Sequence, residues 1–523
     1  MILHIMKKDW KLLWRVVLLV ATTQFALAAM LFHIDHAAVD KNPYGLLLQL
    51  VLFMTFLGRA VLIVMCVQQD AIPGDRQDWL TRPVKRLDLM FAKLGFVLLF
   101  AQGPVLIADF VQAFAGGASF WHSLSAAITR SLFLLPVFTL PFVAFGALTR
   151  NLTEAIAGAV VFFLLLSGGE MLFVGLSEGR RILEVSPTTL TGLDWMTDAL
   201  RLIVALAAVS AILALQYVGR KTTISRAILG VAAVVCFIVR LLPWNIAYAM
   251  QQHLTPTRGS GQRIAIAFAP DQKPYTSLSG VSSDVLQGQF GGTKNADTIV
   301  YIPLAVQGLP AHSLLKNDRA QVTLTASDGE TFNLGVGGDF APLPQAGMTT
   351  GIYSAVYIPD GLYQRFKSEQ VRLNITYFST LMRLEDEGAM TALGGHRDFA
   401  SIGQCSSRMN PGETQIDIRC LHPGTIPLCT TATLTVPASG LANSPKVSCI
   451  PNYAPIYPMM IPDGMSRYEA ELPFRDSNSL SNYPIQGTDL SKAQVEVRVY
   501  ATKDHLQRQV VIPDIRLEDW LPR

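Results

Sequence analysis

The sequence predicts an α-helical polytopic membrane bundle of about seven spans, followed by an extracytoplasmic, all-β, sandwich-like region. The chain of 523 residues is 50% hydrophobic and only 15% charged, whereas soluble domains contain about 25% charged residues. Nearly all the long apolar runs lie in residues 1–250, and the remainder has the composition of a soluble protein. We therefore divide the chain into a transmembrane domain (1–250), a linker (251–262) and an outer β-rich region (263–523).

Seven apolar stretches are each long enough to cross the hydrocarbon core, which takes about 20 residues of helix. The first has the basic start of a secretory signal and an Ala26-Leu27-Ala28 run that resembles a cleavage site. It is longer than the apolar run of a signal peptide, and further apolar stretches follow at once, so we interpret it as a membrane anchor. The predicted spans are residues 12–32, 46–67, 87–111, 124–148, 152–176, 199–218 and 227–247.

Positive charge alternates between the loops that join these spans. Short loops that stay in the cytoplasm carry an excess of Lys and Arg. This bias predicts a cytoplasmic N-terminus, an odd number of spans and a C-terminal region outside. The net charge of +3 is too small to indicate a nucleic-acid partner. The basic residues assigned to the cytoplasmic side include Lys7, Lys8, Lys11, Arg15, Arg76, Arg82, Lys85, Arg86, Lys93, Arg150, Arg220, Lys221 and Arg226.

Residues 70–93 form a polar, basic island between the second and third spans. Pro73-Gly74 is a turn signal, and residues 75–80 can begin a short helix with acidic residues in its first turn. Pro83 favours an extended conformation at Arg82, which separates that short helix from the next one. From Val84 a new helix continues into the membrane. A soluble partner could push on such a short surface helix.

The run Thr81-Arg82-Pro83-Val84-Lys85-Arg86, followed by Lys93 where the next helix enters the membrane, resembles the cytosolic coupling segment of ABC-2-type transporter permeases. Lys85 stands where Ser is common in that family. The resemblance covers about the first 220 residues. It implies a permease subunit of an ATP-driven exporter in a bacterial inner membrane, working as a homodimer or heterodimer of permeases. It further implies that a separate cytoplasmic ABC ATPase docks on Asp75, Arg76, Trp79, Thr81, Arg82, Pro83, Lys85 and Arg86. The alternative is a basic loop that only sets the topology, with Trp79 as an interfacial anchor.

Charged residues inside predicted spans are informative, because an unpaired charge there is costly. Arg59 lies in the second span and is a candidate pathway residue, paired with Glu154 of the fifth span. Alternatively, its side chain extends to the inner headgroups. Glu170 follows Ser167-Gly168-Gly169 in the fifth span, and it either lines an outer vestibule or simply ends a helix.

After the linker, helical periodicity gives way to alternation of apolar and polar residues, which is typical of strands. Asp328-Gly329 is a hairpin signal between two of them. Many short strands with Pro- and Gly-rich connections predict one or two β-sandwich domains. The predicted strands are residues 263–268, 298–304, 320–325, 331–336, 351–358, 371–378, 415–420, 432–436 and 494–500.

Four of the six cysteines lie in a short window of the outer region, at Cys405, Cys420, Cys429 and Cys449. The window contains no Cys-x-x-Cys pair of the kind that zinc sites use, so two disulfides are expected. Disulfides need an oxidising compartment, which agrees with the side that the charge bias assigns to this region. Sequential pairing is one of three connectivities.

The sequence contains no P-loop, no His-Glu-x-x-His and no Gly-x-Ser-x-Gly motif. We therefore expect no catalytic residues, no cofactor and no ATP hydrolysis by this chain. His33, Asp35 and His36 lie together, but a wet turn at the membrane surface is the commoner role for such residues, and we expect no metal site. The alternative function is a membrane-anchored sensor or envelope assembly factor with a ligand-binding outer β domain.

Overall fold

A computed structural model describes both halves of the chain, over residues 1–33, 43–69, 86–115, 118–160, 194–219, 221–240, 242, 244–254, 259, 261–272, 297–337, 340–341, 344–346, 351–409, 415–420, 428–436, 441–442, 446–449, 468–473 and 489–520.

The first half is helical. Among the described residues, six helical segments are long and apolar enough to cross a membrane. They confirm the predicted apolar half of the chain. Of the predicted fifth span, 152–160 are helical, and its remaining residues lie outside the described ones. The helices are α1 (Ile2–His33), α2 (Pro43–Gln68), α3 (Arg86–Val97), α4 (Gly103–Ala115), α5 (Phe120–Leu134), α6 (Leu140–Leu148), α7 (Asp194–Ala214), α8 (Thr222–Arg240) and α9 (Trp244–Leu254).

Three of the apolar segments contain one turn of π-helix, at Leu98–Gln102, Leu135–Thr139 and Leu215–Gly219. The first joins α3 to α4 and the second joins α5 to α6, so each pair forms one continuous span. π-Helical turns are rare and occur often at functional sites. Pro136 and Pro141 in and beside the second π turn remove backbone donors from the regular α pattern.

The last predicted span, 227–247, covers parts of two helices. The apolar helix α8 begins at Thr222 rather than 227 and ends at Arg240. Helix α9 then begins separately at Trp244. Pro243 precedes α9 and has no amide hydrogen to continue the ladder of a single helix, which explains the division.

The second half is a β region of three sheets. All nine predicted strand regions are confirmed, and several strands are longer than predicted. The Asp328-Gly329 hairpin is also confirmed, with Gly329 at φ 88°, a conformation that glycine adopts without steric cost. The strands are β1 (Ala265–Phe268), β2 (Asp297–Gln307), β3 (Ser313–Thr325), β4 (Thr331–Gly337), β5 (Phe340–Ala341), β6 (Ile352–Pro359), β7 (Val371–Thr391), β8 (His396–Phe399), β9 (Gly403–Met409), β10 (Gln415–Cys420), β11 (Leu428–Val436), β12 (Leu441–Ala442), β13 (Lys446–Cys449), β14 (Tyr468–Pro473) and β15 (Gln494–Ile515).

Strands β7 and β15 pair antiparallel along almost their whole length and connect two lobes. In the first lobe, the sheet β1-β2-β6-β5 packs on β3 and the first half of β7, with Val300 and Ile375 in the shared core. In the second lobe, the sheet β14-β10-β9-β8 packs on β11 and the first half of β15, with Ile416 and Val497 in the core. Each such buried aliphatic side chain contributes about 1.5–3 kcal/mol. The β region is therefore two sandwiches that share a seven-stranded sheet.

Disulfide bonding in the second lobe follows the strand register. Cys405 and Cys420 are cross-strand neighbours in β9 and β10 and form a disulfide. Cys429 is also disulfide-bonded, and its register partner in β13 is Cys449. Sequential pairing is thus confirmed for Cys405–Cys420, and the strand register agrees with it for the second pair.

The β region contacts one end of the helical bundle at two places. The backbone N–H of Ser119, between α4 and α5, donates to Gln404 Oε1 at 2.8 Å. In α9, the Tyr248 hydroxyl donates to the Leu506 carbonyl at 2.9 Å. Because Leu87–Ala115 is one continuous helical segment, its first residue and the β-region contact at Ser119 lie at opposite ends of the bundle.

Candidate functional site

A buried polar cluster lies inside the bundle, centred on Arg59 of α2. The Arg59 side chain is 8% exposed, and its Nη2 donates to Gln102 Oε1 at 3.0 Å. The guanidinium carbon lies 4.6 Å from the ring centroid of Phe138, a cation–π geometry that favours a buried cation.

Gln102 connects three spans through its side-chain amide. Its Oε1 accepts from Arg59 and also from Thr139 Oγ1 at 3.2 Å. Its Nε2 donates to the Ser131 carbonyl at 3.0 Å. Gln102 and Thr139 each end a π-helical turn. Two irregular helix turns therefore meet at the same arginine.

A buried ion pair extends the cluster toward the β region. Arg130 of α5 pairs with Asp109 of α4, and the two side chains are 10% and 2% exposed. Arg59 interacts electrostatically with both of them. We call Arg59, Gln102, Asp109, Arg130, Ser131 and Thr139 the Arg59 cluster.

The Arg59 cluster contains more positive than negative charge, with two arginines and one carboxylate. Several of its buried atoms have no hydrogen-bond partner, including Arg59 Nε, Asp109 Oδ2 and Arg130 Nε. Buried donors and acceptors are usually satisfied, so unsatisfied ones identify a place for water or another polar group. Charges inside membrane spans face the bundle interior or a water-filled path and are commonly functional.

The predicted surroundings of Arg59 are wrong in two respects. Glu154 does not serve as its partner, because Glu154 Oε1 accepts from Arg226 Nη2 at 2.9 Å. Arg59 also does not extend to the headgroups, since it is buried against Gln102 and Phe138. Glu154 stands next to the bundle end, whereas Gln102 lies deep in the third span and can reach the arginine. Glu170 lies outside the described residues.

The predicted docking residues Asp75, Arg76, Trp79, Thr81, Arg82, Pro83 and Lys85 lie outside the described residues, and Arg86 begins α3. Lys93, assigned to the basic surface segment, is instead buried, and its Nζ lies 3.0 and 2.9 Å from the two carboxylate oxygens of Asp9. The two side chains are 1% and 0% exposed. Sequence reasoning missed Asp9, although it is the only acidic residue before Asp35 and stands in an otherwise basic helix.

The junction between α9 and the β region contains a second polar group. His505 Nδ1 lies 2.8 Å from Thr380 Oγ1. The Thr380 hydroxyl donates its hydrogen to Asp318. The imidazole is 4% exposed. Burial lowers the pKa of His505, and nearby Asp318 and Asp504 raise it in part. Because the Thr380 hydrogen points to Asp318, neutral His505 carries its proton on Nδ1.

A cleft of about 490 Å³ lies where the two lobes of the β region meet. Its lining includes His312, Ser313, Gln345, Arg498 and Tyr500. Arg498 is partly engaged by Glu496 and Glu387, at 2.7 and 3.6 Å. The lining of the cleft combines polar and apolar side chains.

Among the described residues, no group of three or more His, Cys, Asp or Glu side chains could hold a metal ion. His33 begins the predicted His-Asp-His group, whose other members lie outside the described residues.

No family model, curated protein or solved structure shows significant similarity to this chain.

Proposed function

We propose that this chain is the membrane-spanning permease subunit of an ATP-driven ABC exporter. A separate cytoplasmic ATPase would couple to it through residues 70–93. The observation that best supports this proposal is the buried Asp9–Lys93 ion pair. It connects α1 to the third span directly after the basic segment that resembles an ATPase dock. A push on that segment would therefore move two helices together.

The same displacement would reach the Arg59 cluster. Gln102 lies on the third span about 13 Å further along than Lys93, at about 1.5 Å per residue. A π-helical turn between them, Leu98–Gln102, is a natural place for the helix to change shape. In this proposal the ATPase cycle shifts the third span, and Gln102 changes its contacts to Arg59 and Thr139. The cluster would then open and close a polar pathway between α2, α4 and α5.

The β region would lie above the outer end of this pathway, since it contacts Ser119 and α9 at the end opposite the docking segment. A second permease copy or a related subunit would complete the pathway, as the family resemblance implies. In a bacterial inner membrane, the β region would then be periplasmic, where its disulfides would be stable.

The experiment that tests this proposal replaces Arg82 and Arg86 with Glu in the full chain. We expect the partner ATPase to be lost on co-purification, while membrane insertion is unchanged. The matched control is Arg150→Glu with Lys221→Glu, which makes the same change of charge at the same end of the bundle but outside the segment. Retention of the ATPase by the Arg82/Arg86 variant, or its equal loss from the control, would rule out this segment as the dock.

The cleft between the lobes favours one alternative, a membrane-anchored sensor whose outer region binds a ligand. In that case α9 would transmit the ligand signal, because it contacts β7 and β15 through Tyr248. Arg498→Ala would then abolish the response to the ligand without affecting any ATPase partner. An exporter whose ATPase activity depends on Arg82 and Arg86 excludes this alternative.

A further inference from the structure

The first four turns of α1 have two different faces. One face is buried against the bundle and contains Ile5, Asp9 and Leu13, at 9%, 0% and 1% exposure. These residues are four apart, so they lie in one row along the helix. Asp9 in the middle of the row contacts Lys93 of the third span. This contact fixes the rotation of α1 about its axis.

The opposite face is cationic. Lys7, Lys11 and Arg15 are exposed and are also four residues apart, so their charges form a second row. Within the described part of the chain, no carboxylate pairs with any of the three, since the acid on this helix, Asp9, lies on the other face with Lys93. The row therefore has three positive charges and a fixed direction away from the bundle.

The length of α1 sets the depth of this row. The helix has 32 residues, which is about 48 Å, whereas the hydrocarbon core is about 30 Å thick. From Val16 to Phe32 the sequence contains no Asp, Glu, Lys or Arg. This uncharged part must lie in the hydrocarbon, so Arg15 lies at its edge and Lys11 and Lys7 lie at successively higher levels among the headgroups.

Two tryptophans flank the row at the same levels. Trp10 and Trp14 are 38% and 42% exposed, and Arg15 lies 5.5 Å from the centroid of the Trp14 ring. Exposed Trp residues favour the boundary between hydrocarbon and headgroups. Two such rings beside the row agree with placing its cations at that boundary, although Trp10 also packs on Phe100 of the third span.

We propose that Lys7, Lys11 and Arg15, flanked by Trp10 and Trp14, bind the phosphate groups of anionic phospholipids. A free phosphate ion has the same charge, but it would not explain the tryptophans or the depth of the row. Because Asp9 on the reverse face holds Lys93, bound lipid would also steady the third span. This inference is independent of the proposed transport function.

The test measures lipid retention by the full-length protein in detergent, using native mass spectrometry. We expect several-fold more phosphatidylglycerol than phosphatidylcholine of the same chain length to stay bound. Replacing Lys7, Lys11 and Arg15 together with Gln should abolish this preference. The matched control replaces three exposed arginines of the β region, Arg372, Arg383 and Arg516, with Gln and should keep it.

A charge-conserving variant separates binding from folding. Lys7→Arg with Lys11→Arg should retain the preference, and the single Lys11→Gln variant should show a partial loss even if the triple variant does not fold. The proposal is overturned if the triple or single variant binds phosphatidylglycerol as well as the wild type. It is also overturned if 10 mM inorganic phosphate displaces the lipid, which would indicate a site for the free ion.

Discussion

Lys93 and Asp9 lie face to face inside the helical bundle, with Nζ 2.9 Å from Oδ2 and both side chains almost completely buried. The pair joins the start of α1 to α3, which begins at Arg86. Two charges in such a place stabilise the bundle only as a pair, because either one alone would be buried without a counter-charge.

The first prediction concerns this pair. Asp9→Asn should lower the free energy of unfolding by roughly 3–5 kcal/mol, because the Lys93 ammonium stays buried without its carboxylate. Thermal unfolding in detergent, followed by size-exclusion chromatography, measures the loss. The double variant Asp9→Leu with Lys93→Met should recover much of it, since no charge remains buried.

The control for this prediction is Glu154→Gln, which breaks the exposed pair with Arg226. Those side chains are 39% and 48% exposed, so the loss should stay below about 1 kcal/mol. Equal destabilisation by Asp9→Asn and by the double variant would show that packing, rather than charge, matters at this position.

The second prediction concerns Gln102. Gln102→Leu leaves the buried Arg59 and Thr139 donors without their acceptor, so it should destabilise the protein by about 1–3 kcal/mol. Gln102→Glu keeps an acceptor and supplies a negative charge to Arg59, so it should stay closer to the wild type. Thermal unfolding of the two variants gives the comparison.

Gln49→Leu is the matched control, because Gln49 is exposed on the surface of α2, and we expect no loss of stability there. If Gln102→Glu is as unstable as Gln102→Leu, the hydrogen bond from Arg59 does not contribute to stability as we infer.

The third prediction concerns the connection between the bundle and the β region. Tyr248→Phe removes the hydroxyl that donates to the Leu506 carbonyl, at a cost of about 1 kcal/mol in the docking of α9. We expect faster hydrogen exchange in residues 244–254 and unchanged exchange in β7 and β15. Leu254→Ala, at a side chain that is 67% exposed, should change neither. Faster exchange throughout the β sheets would mean that Tyr248 stabilises the whole region.

The fourth prediction concerns pH. The pKa of His505 is lowered in the folded protein, mainly because burial disfavours the imidazolium. The unfolded chain then binds more protons than the folded one below its ordinary pKa of about 6.5. The stabilisation is therefore complete above about pH 6.5 and is lost as the pH falls toward the folded pKa, by at most about 1.4 kcal/mol per pH unit.

Denaturant unfolding of the β region between pH 7.5 and 5.5 measures this slope. His505→Asn, which keeps a group that can donate to Thr380, should reduce it, whereas His396→Asn at an exposed imidazole should not. An identical slope for His505→Asn and the wild type would assign the pH dependence to other groups.

Local periodicity predicted most strand positions but not strand lengths. Residues 371–378 read as one strand because apolar and polar residues alternate there. The strand continues to Thr391 because β15 pairs with it along that whole length, while β3 pairs with its other side as far as Arg383. Long-range pairing of this kind leaves no signal in a local window of sequence.

The charged residues inside the helical bundle also have partners that a local stretch of sequence does not identify. The sequence alone showed that Arg59 was unusual for a membrane span, since a charge among apolar residues is costly unless it finds a partner. The identity of its partner depended on helix packing, which places Gln102 and Phe138 beside it and leaves Glu154 to Arg226.

By itself, the sequence determined the division into an apolar helical half and a β-rich half, the positions of most spans and strands, and the expectation of disulfides. These properties follow from hydropathy, periodicity and residue chemistry, which act over short stretches of chain. Only the tertiary structure decided that Asp9 neutralises Lys93, that two π-helical turns meet at Arg59 and that β7 and β15 join two sandwiches. Each of these depends on contacts between residues far apart in the chain, and their free energy arises only when the helices and sheets pack together.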